Sequence, residues 1–123
     1  GASMGGDVFV IGGETDSGVT NELISFTPGG SFWVQESPLG TAREANGVGV
    51  LGTRLCAFGG RSGGGPISTS ECYVDGVGWS PGPSLPASVA EVIGVVVGDF
   101  LYAVGGRDSS NDPVATISRI RFR

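Results

Sequence analysis

Strand-sized apolar runs recur along the chain, and three of them end in a pair of glycines. Apolar runs of this length, bounded by glycine, indicate buried β-strands, and no stretch has the spacing of an amphipathic helix. We therefore predict an all-β chain. The three copies of the pattern are Val8–Ile11 before Gly12-Gly13, Leu55–Phe58 before Gly59-Gly60, and Leu101–Val104 before Gly105-Gly106.

The three copies repeat at a nearly constant interval. The second glycines of successive pairs are 47 and then 46 residues apart. Phe26 and Tyr73 each lie 13 residues beyond the second glycine of their copy, and Trp33 and Trp79 are 46 residues apart. A period in the forties, made of short strands and glycine, is typical of the blades of a β-propeller. We expect the glycine pairs to let neighbouring backbone approach closely, and the tryptophans to pack between sheets.

The copies are predicted to be unequal, with three, four and three strands. We assign a partial blade to residues 4–36, a full blade to 37–80 and a partial blade to 81–123. Residues 1–3 resemble a remnant of tag cleavage and are left out of the predicted fold. The first copy has too few residues ahead of its glycine-ended strand for another strand. The last copy stops before any tryptophan, and its third strand is predicted over 116–122, with Ile120 or Phe122 at the aromatic position.

Composition and charge exclude several classes of function. The 123-residue chain has a net charge of −5 and no cluster of Lys or Arg, which argues against nucleic acid as a partner. It has no histidine, and so lacks the usual general base and the commonest metal ligand. We therefore expect no enzyme, metal or cofactor. Because no secretory signal or transmembrane segment is visible, we expect a cytoplasmic protein that does not bind membranes.

Two small groups of side chains allow more than one interpretation. Cys56 and Cys72 are predicted on adjacent antiparallel strands and can face each other. A reduced pair is favoured over a disulfide because no secretory signal is present. Asp108, Asn111 and Asp112 can hold a weakly bound Ca²⁺, but their spacing matches no known calcium loop, which favours a polar turn.

The repeated residues resemble the kelch repeat. That repeat has an apolar strand, a Gly-Gly pair, a tyrosine-like aromatic residue and a tryptophan six or seven positions later. An arginine often precedes its first strand, and Arg43 occupies that place here, whereas Val89 stands at the equivalent position one repeat later. The resemblance implies four-stranded blades, with the first strand innermost, in a ring that usually has five to seven blades. About 2.5 blades form only part of such a ring, so three explanations stay open: one protomer of an oligomeric propeller, a fragment of a longer propeller, or an engineered chain of kelch-like blades.

Arg43, Arg61 and Arg107 are the candidate binding residues. The loops between second and third strands, and the segments that lead into first strands, are expected on one face of the blades. The resemblance implies an acidic peptide as the ligand, because arginines on these loops form the pocket in kelch proteins that bind such peptides. For Arg43 the alternative is a structural role with buried hydrogen bonds to the backbone, and for the other two a role in holding the loops.

The sequence therefore predicts a non-catalytic kelch-repeat module that binds protein and self-associates. Self-association is expected because each terminal blade of an incomplete ring leaves an apolar face uncovered. One alternative is a carbohydrate-binding or sugar-isomerase-like kelch enzyme, and another is a purely structural chain with no ligand.

Overall fold

The computed structural model describes residues 1–120, and this part of the chain contains thirteen β-strands. They are β1 (Ala2–Met4), β2 (Asp7–Ile11), β3 (Glu14–Thr15), β4 (Gly18–Val19), β5 (Leu23–Phe26), β6 (Val34–Gln35), β7 (Gly47–Leu51), β8 (Arg54–Phe58), β9 (Ser70–Val74), β10 (Gly78–Pro81), β11 (Ile93–Val97), β12 (Phe100–Val104) and β13 (Ile117–Ile120).

The strands form three antiparallel sheets, which we call blades 1 to 3. Blade 1 has the order β1-β2-β5-β6, blade 2 the order β7-β8-β9-β10 and blade 3 the order β11-β12-β13, and β3 and β4 form a separate hairpin. Among the innermost strands, β7 lies between β1 and β11 and contacts both. This arrangement confirms the prediction of antiparallel β-propeller blades in an incomplete ring. No helix in the described part of the chain is long and apolar enough to cross a membrane.

The prediction that the first copy lacks its innermost strand is wrong. Ala2–Met4 forms that strand, in register with β2, so that Ala2 lies opposite Phe9 and Met4 opposite Asp7. Gly5 and Gly6 join the two strands with φ values of 60° and 89°, the left-handed conformation that a two-residue hairpin requires. Ala2 and Met4 also pack against the core between blades 1 and 2. Residues 2 and 3 therefore belong to the fold, in contrast to the prediction.

The predicted total of ten strands is also too low. The hairpin of β3 and β4 was not predicted, because strands of two residues are too short to show an alternating pattern. Within the described residues the last strand covers Ile117–Ile120, and Ile120 lies opposite Leu101 as Tyr73 lies opposite Leu55. Ile120 therefore takes the aromatic position of blade 3, and Phe122 lies outside the described residues.

The core consists of two layers, one between each pair of successive blades. Leu39 and Leu85, which are 46 residues apart, occupy corresponding places in the two layers. The layer between blades 1 and 2 contains Phe9, Ile11, Leu23, Leu39, Leu55, Ala57 and Tyr73. The layer between blades 2 and 3 contains Cys56, Phe58, Cys72, Leu85, Val89, Val92, Leu101, Ala103 and Ile120.

Cys56 and Cys72 form a disulfide, so the expectation of a reduced pair is wrong in this structure. The two residues lie directly opposite each other on β8 and β9, and their Cα atoms are 4.1 Å apart. That separation is close to the value for opposed residues that share no backbone hydrogen bonds, where side chains approach most closely. The sequence argument relied on the absence of a secretory signal, whereas the strand register decides which side chains meet.

The glycine pairs hold successive blades together. Gly12 and Gly59 have φ values of 61°, and a Cβ added at either would meet the carbonyl oxygen of Arg43 or Val89, respectively. The next amides, of Gly13 and Gly60, donate to those same two carbonyls at 2.8 Å. The segment that leads into each new blade therefore lies directly on the glycine pair of the blade before it.

Candidate functional site

The loops that follow the glycine pairs lie beside the segments that lead into the next blade. Arg61 forms a β-bridge with Glu44, and Arg107 forms the equivalent bridge with Ala90, 46 residues later. In each bridge the two amides donate to the two carbonyls, at 2.8 and 3.0 Å. This pairing places both arginines on the same edge of the blades, which we call the rim.

Glu91 joins the two rim arginines. Its Oε1 accepts a hydrogen bond from Nη2 of Arg61 at 2.8 Å, and its Oε2 lies 3.2 Å from Nε of Arg107. Nη1 of Arg61 is also 3.6 Å from Oε1 of Glu44. Glu91 has a φ of 55°, and Ala45, at the equivalent place of the previous blade, has a φ of 51°. The left-handed backbone is thus a feature of the repeat, and in blade 3 it carries a carboxylate between two arginines.

The ion pairs shift the pKa values of the rim groups in the directions expected for mutual stabilisation. The hydrogen bond from Arg61 lowers the pKa of Glu91, with further lowering by the charges of Arg61 and Arg107. The hydrogen bond to Glu91 raises the pKa of Arg61. All three charged groups keep contact with solvent, since 30% of the Arg61 side chain, 40% of Arg107 and 48% of Glu91 is exposed. The cluster is therefore charged and open to a ligand.

Arg43 has no exposed surface and lies inside blade 2. Its Nη1 donates to the carbonyl oxygens of Gly59 and Thr69 at 3.0 and 2.9 Å, and its Nη2 donates to Oε2 of Glu71 at 3.0 Å. Burial lowers the pKa of the Arg43 guanidinium, while Glu71 acts in the opposite direction. These contacts correspond to the backbone-bonding alternative for Arg43. The rim in this structure consists of Arg61 and Arg107 without it.

Glu71 extends the contact of Arg43 to the segment between blades. Its carboxylate accepts hydrogen bonds from the amides of Gly40 and Thr41 at 2.6 and 3.2 Å. The pair therefore ties the approach to blade 2 to β9 of the same blade.

The two tryptophans have different surroundings. Trp79 packs on Tyr73, with ring centroids 5.4 Å apart, and its Nε1 donates to the carbonyl oxygen of Ser37 at 2.7 Å. Trp33 packs on Phe26 at 5.2 Å but is 51% exposed. Each tryptophan thus contacts the aromatic residue of its own repeat. The difference is that blade 1 covers this face of blade 2, whereas no described residue covers the same face of blade 1.

The acidic loop near Arg107 is a closed turn. Oδ1 of Asp108 accepts hydrogen bonds from the amides of Ser110 and Asp112, and the carbonyl oxygen of Asn111 accepts one from Arg107. Within residues 1–120 no cluster of His, Cys, Asp or Glu has the arrangement of a metal site.

Glu44 and Glu91 were not identified from the sequence as part of the site. One signal was available, because Glu91 lies two residues before the first strand of blade 3 and is one repeat from Ala45. Only the β-bridges, however, show that this segment lies beside the loops of Arg61 and Arg107.

No protein-family profile matches the chain. It is 28% identical over 116 residues to Kelch-like protein 26 of Danio rerio and 29% identical over 118 residues to Kelch-like protein 36 of Bos taurus. The matches cover 89% and 91% of this chain but only 19% of each relative. A solved structure of YjhT superposes with a TM-score of 0.83 at 16% identity, covering 94% of this chain and 40% of that one.

Proposed function

We propose that this chain, which is built from kelch-type repeats, is a non-catalytic module that binds an acidic peptide or protein at its rim and associates with other copies of itself. The observation that carries the first part is the placement of Arg61 and Arg107 on the two oxygens of a single carboxylate, that of Glu91. Two guanidinium groups that converge on one carboxylate have the geometry to hold a carboxylate of a ligand.

The charge of the rim sets the conditions for binding. Arg61 and Arg107 are matched within the cluster by Glu44 and Glu91, and the whole chain carries a net charge of −5. Long-range attraction of an anion is therefore weak. Binding depends on short contacts, in which a ligand carboxylate replaces Glu91 or shares the arginines with it. We expect modest affinity that falls as salt is added.

The similarity to two Kelch-like proteins supports a kelch-repeat binding module. The chain spans about a fifth of the length of these relatives, so their own partners are not transferred to it.

Self-association is supported by the two outermost sheet faces. Val8 and Val10 on blade 1 are each 39% exposed, and Ile93 and Val97 on blade 3 are 62% and 60% exposed. Their equivalents between blades, such as Leu55 and Ala57, are fully buried. Apolar surface of this kind on a folded chain is typical of an interface.

The peptide proposal is tested by titrating a fluorescent peptide rich in Glu into the chain and measuring anisotropy. The double variant Arg61→Ala and Arg107→Ala should abolish binding, and each single variant should weaken it. Arg54→Ala removes one arginine charge from the start of β8, away from the rim, and serves as the matched control, for which affinity should be unchanged. Equal loss of affinity in all of these variants would show that binding depends on overall charge, and would overturn the proposal.

The same double variant also separates binding from structure. Ion pairs this exposed contribute little to stability, so the melting temperature should change little. A large loss of stability would instead show that the arginines hold blades 2 and 3 together.

A further inference from the structure

The outer face of blade 3 and the outer face of blade 1 are the two halves of an interface that the fold already contains twice. The strands of successive blades correspond residue by residue, so that Val8, Leu55 and Leu101 occupy one position and each lies opposite the aromatic position of its blade. The face of blade 3 that points away from blade 2 therefore corresponds to the face of blade 2 that contacts blade 3. The exposed face of blade 1 corresponds to the face of blade 2 that contacts blade 1.

We infer that a second copy of this chain covers these faces head to tail, with blade 1 of one copy on blade 3 of the other. This inference rests on the self-association in the proposed function, and adds to it the identity and direction of the contact. Because residues 1–120 of each copy contribute three blades, both ends of two such copies pair at once, and the contacts close into a two-fold ring.

The inner strands supply the first pair of contacting positions. A Cβ added to Gly49 of blade 2 would meet the side chain of Leu101 in blade 3, so these positions are in contact across the blades. The equivalent of Gly49 in blade 3 is Val95, which is 42% exposed, and the equivalent of Leu101 in blade 1 is Val8. The glycine–leucine pair is thus replaced by a valine–valine pair, in which the side chain added on one face is offset by a smaller one on the other.

The aromatic residues supply a second pair. Phe9 of blade 1 and Tyr73 of blade 2 lie with ring centroids 6.2 Å apart across the first core layer. The residues at the same positions on the uncovered faces are Tyr102 on blade 3 and Phe26 on blade 1. Docking one copy on another brings these two rings into the same relation, with Trp33 beside them as Trp79 is beside Tyr73. All of these uncovered positions are hydrophobic or aromatic, which suits a partner with the same set.

The test uses two variants that each block one face. Val8→Glu places a charge on blade 1 and Val95→Glu places a charge on blade 3, both at partly exposed positions that a folded monomer tolerates. Molar mass is measured by size-exclusion chromatography with light scattering, and folding is checked by near-ultraviolet circular dichroism. The parent should be a dimer, and each variant alone should be a monomer, because every head-to-tail contact needs both faces.

The mixture of the two variants is decisive. The unblocked blade 3 of Val8→Glu can pair with the unblocked blade 1 of Val95→Glu, so an equimolar mixture should form a one-to-one heterodimer through a single contact. If a glutamate variant does not fold, Val8→Thr and Val95→Thr replace the pair, and each should raise the dissociation constant at least about tenfold.

Three results would overturn the inference. If one variant still dimerises alone, each copy pairs through the same face on both sides. If the folded variants do not form a heterodimer, the two faces are not partners. In both cases the self-association in the proposed function stands. If the parent itself is a monomer, self-association fails as well, while the peptide titration with the rim variants remains an independent test.

Discussion

Replacement of Arg43 by methionine is expected to destabilise the fold without affecting the rim. Arg43 is fully buried and donates hydrogen bonds to the carbonyls of Gly59 and Thr69 and to the carboxylate of Glu71. Methionine retains much of the apolar chain but none of the donors. The variant therefore leaves two carbonyl oxygens and a carboxylate with one partner fewer each.

The magnitude follows from the loss of one partner of a buried ion pair. Breaking such a pair typically costs about 3–5 kcal/mol. Glu71 is not left without partners, since the amides of Gly40 and Thr41 still donate to it. We therefore expect the lower part of that range, about 3 kcal/mol. A typical domain has only about 5–15 kcal/mol of stability in total, so the variant should unfold at clearly lower urea.

The assay is urea denaturation followed by tryptophan fluorescence, with Arg61→Met as the matched control. Arg61 is partly exposed and pairs with Glu44 and Glu91 at the surface, so its loss should destabilise the fold far less than the loss of Arg43. The free energy of unfolding at zero denaturant is compared for the two variants. If Arg43→Met is within 1 kcal/mol of the parent, or no less stable than Arg61→Met, the argument that Arg43 is structural is refuted.

Two further predictions concern the aromatic residues. Trp79→Ala should cost about 3 kcal/mol because it removes the packing on Tyr73 and the hydrogen bond to Ser37, whereas Trp33→Ala should cost about 1 kcal/mol. Both are measured by urea denaturation in the Val95→Glu background, and equal losses would contradict the assignment of Trp79 to the core. Burial raises the pKa of Tyr73 to about 12, above its ordinary value. The protonated hydroxyl therefore makes its full contribution to the stability of the fold below about pH 10, and this contribution is lost as the pH rises toward 12. Tyr73→Phe should flatten this fall in the urea midpoint more than Tyr102→Phe does, and an unchanged pH profile in Tyr73→Phe would refute it.

The repeat made much of the fold predictable from the sequence. The strands β2, β8 and β12 end at Ile11, Phe58 and Val104, as the three apolar runs predict, because a glycine pair follows each run. The strand at Ala2–Met4 was missed because three residues carry no period of their own. It forms because its backbone completes the edge of β2 and its side chains reach the core.

The site was less predictable than the fold. The spacing of Arg61 and Arg107 from their glycine pairs placed both on one edge. Their shared partner Glu91 comes from the segment that leads into blade 3, and contact between that segment and the two loops depends on how successive blades pack. The disulfide was missed for a different reason, because the sequence placed Cys56 and Cys72 where they can face each other and the reduced pair was preferred only for want of a secretory signal.

The shared carboxylate of Glu91 lies across the boundary between two blades, with Arg61 on one side and Arg107 on the other. Any anion that takes Arg61 away from Glu91 also removes one of the ties across that boundary. The coupling is reciprocal: if bound anion weakens the contact between blades 2 and 3, then weakening that contact raises the affinity of Arg61 for the anion by the same factor. The affinity of the rim for an anion and the stability of the boundary between blades 2 and 3 are therefore thermodynamically coupled.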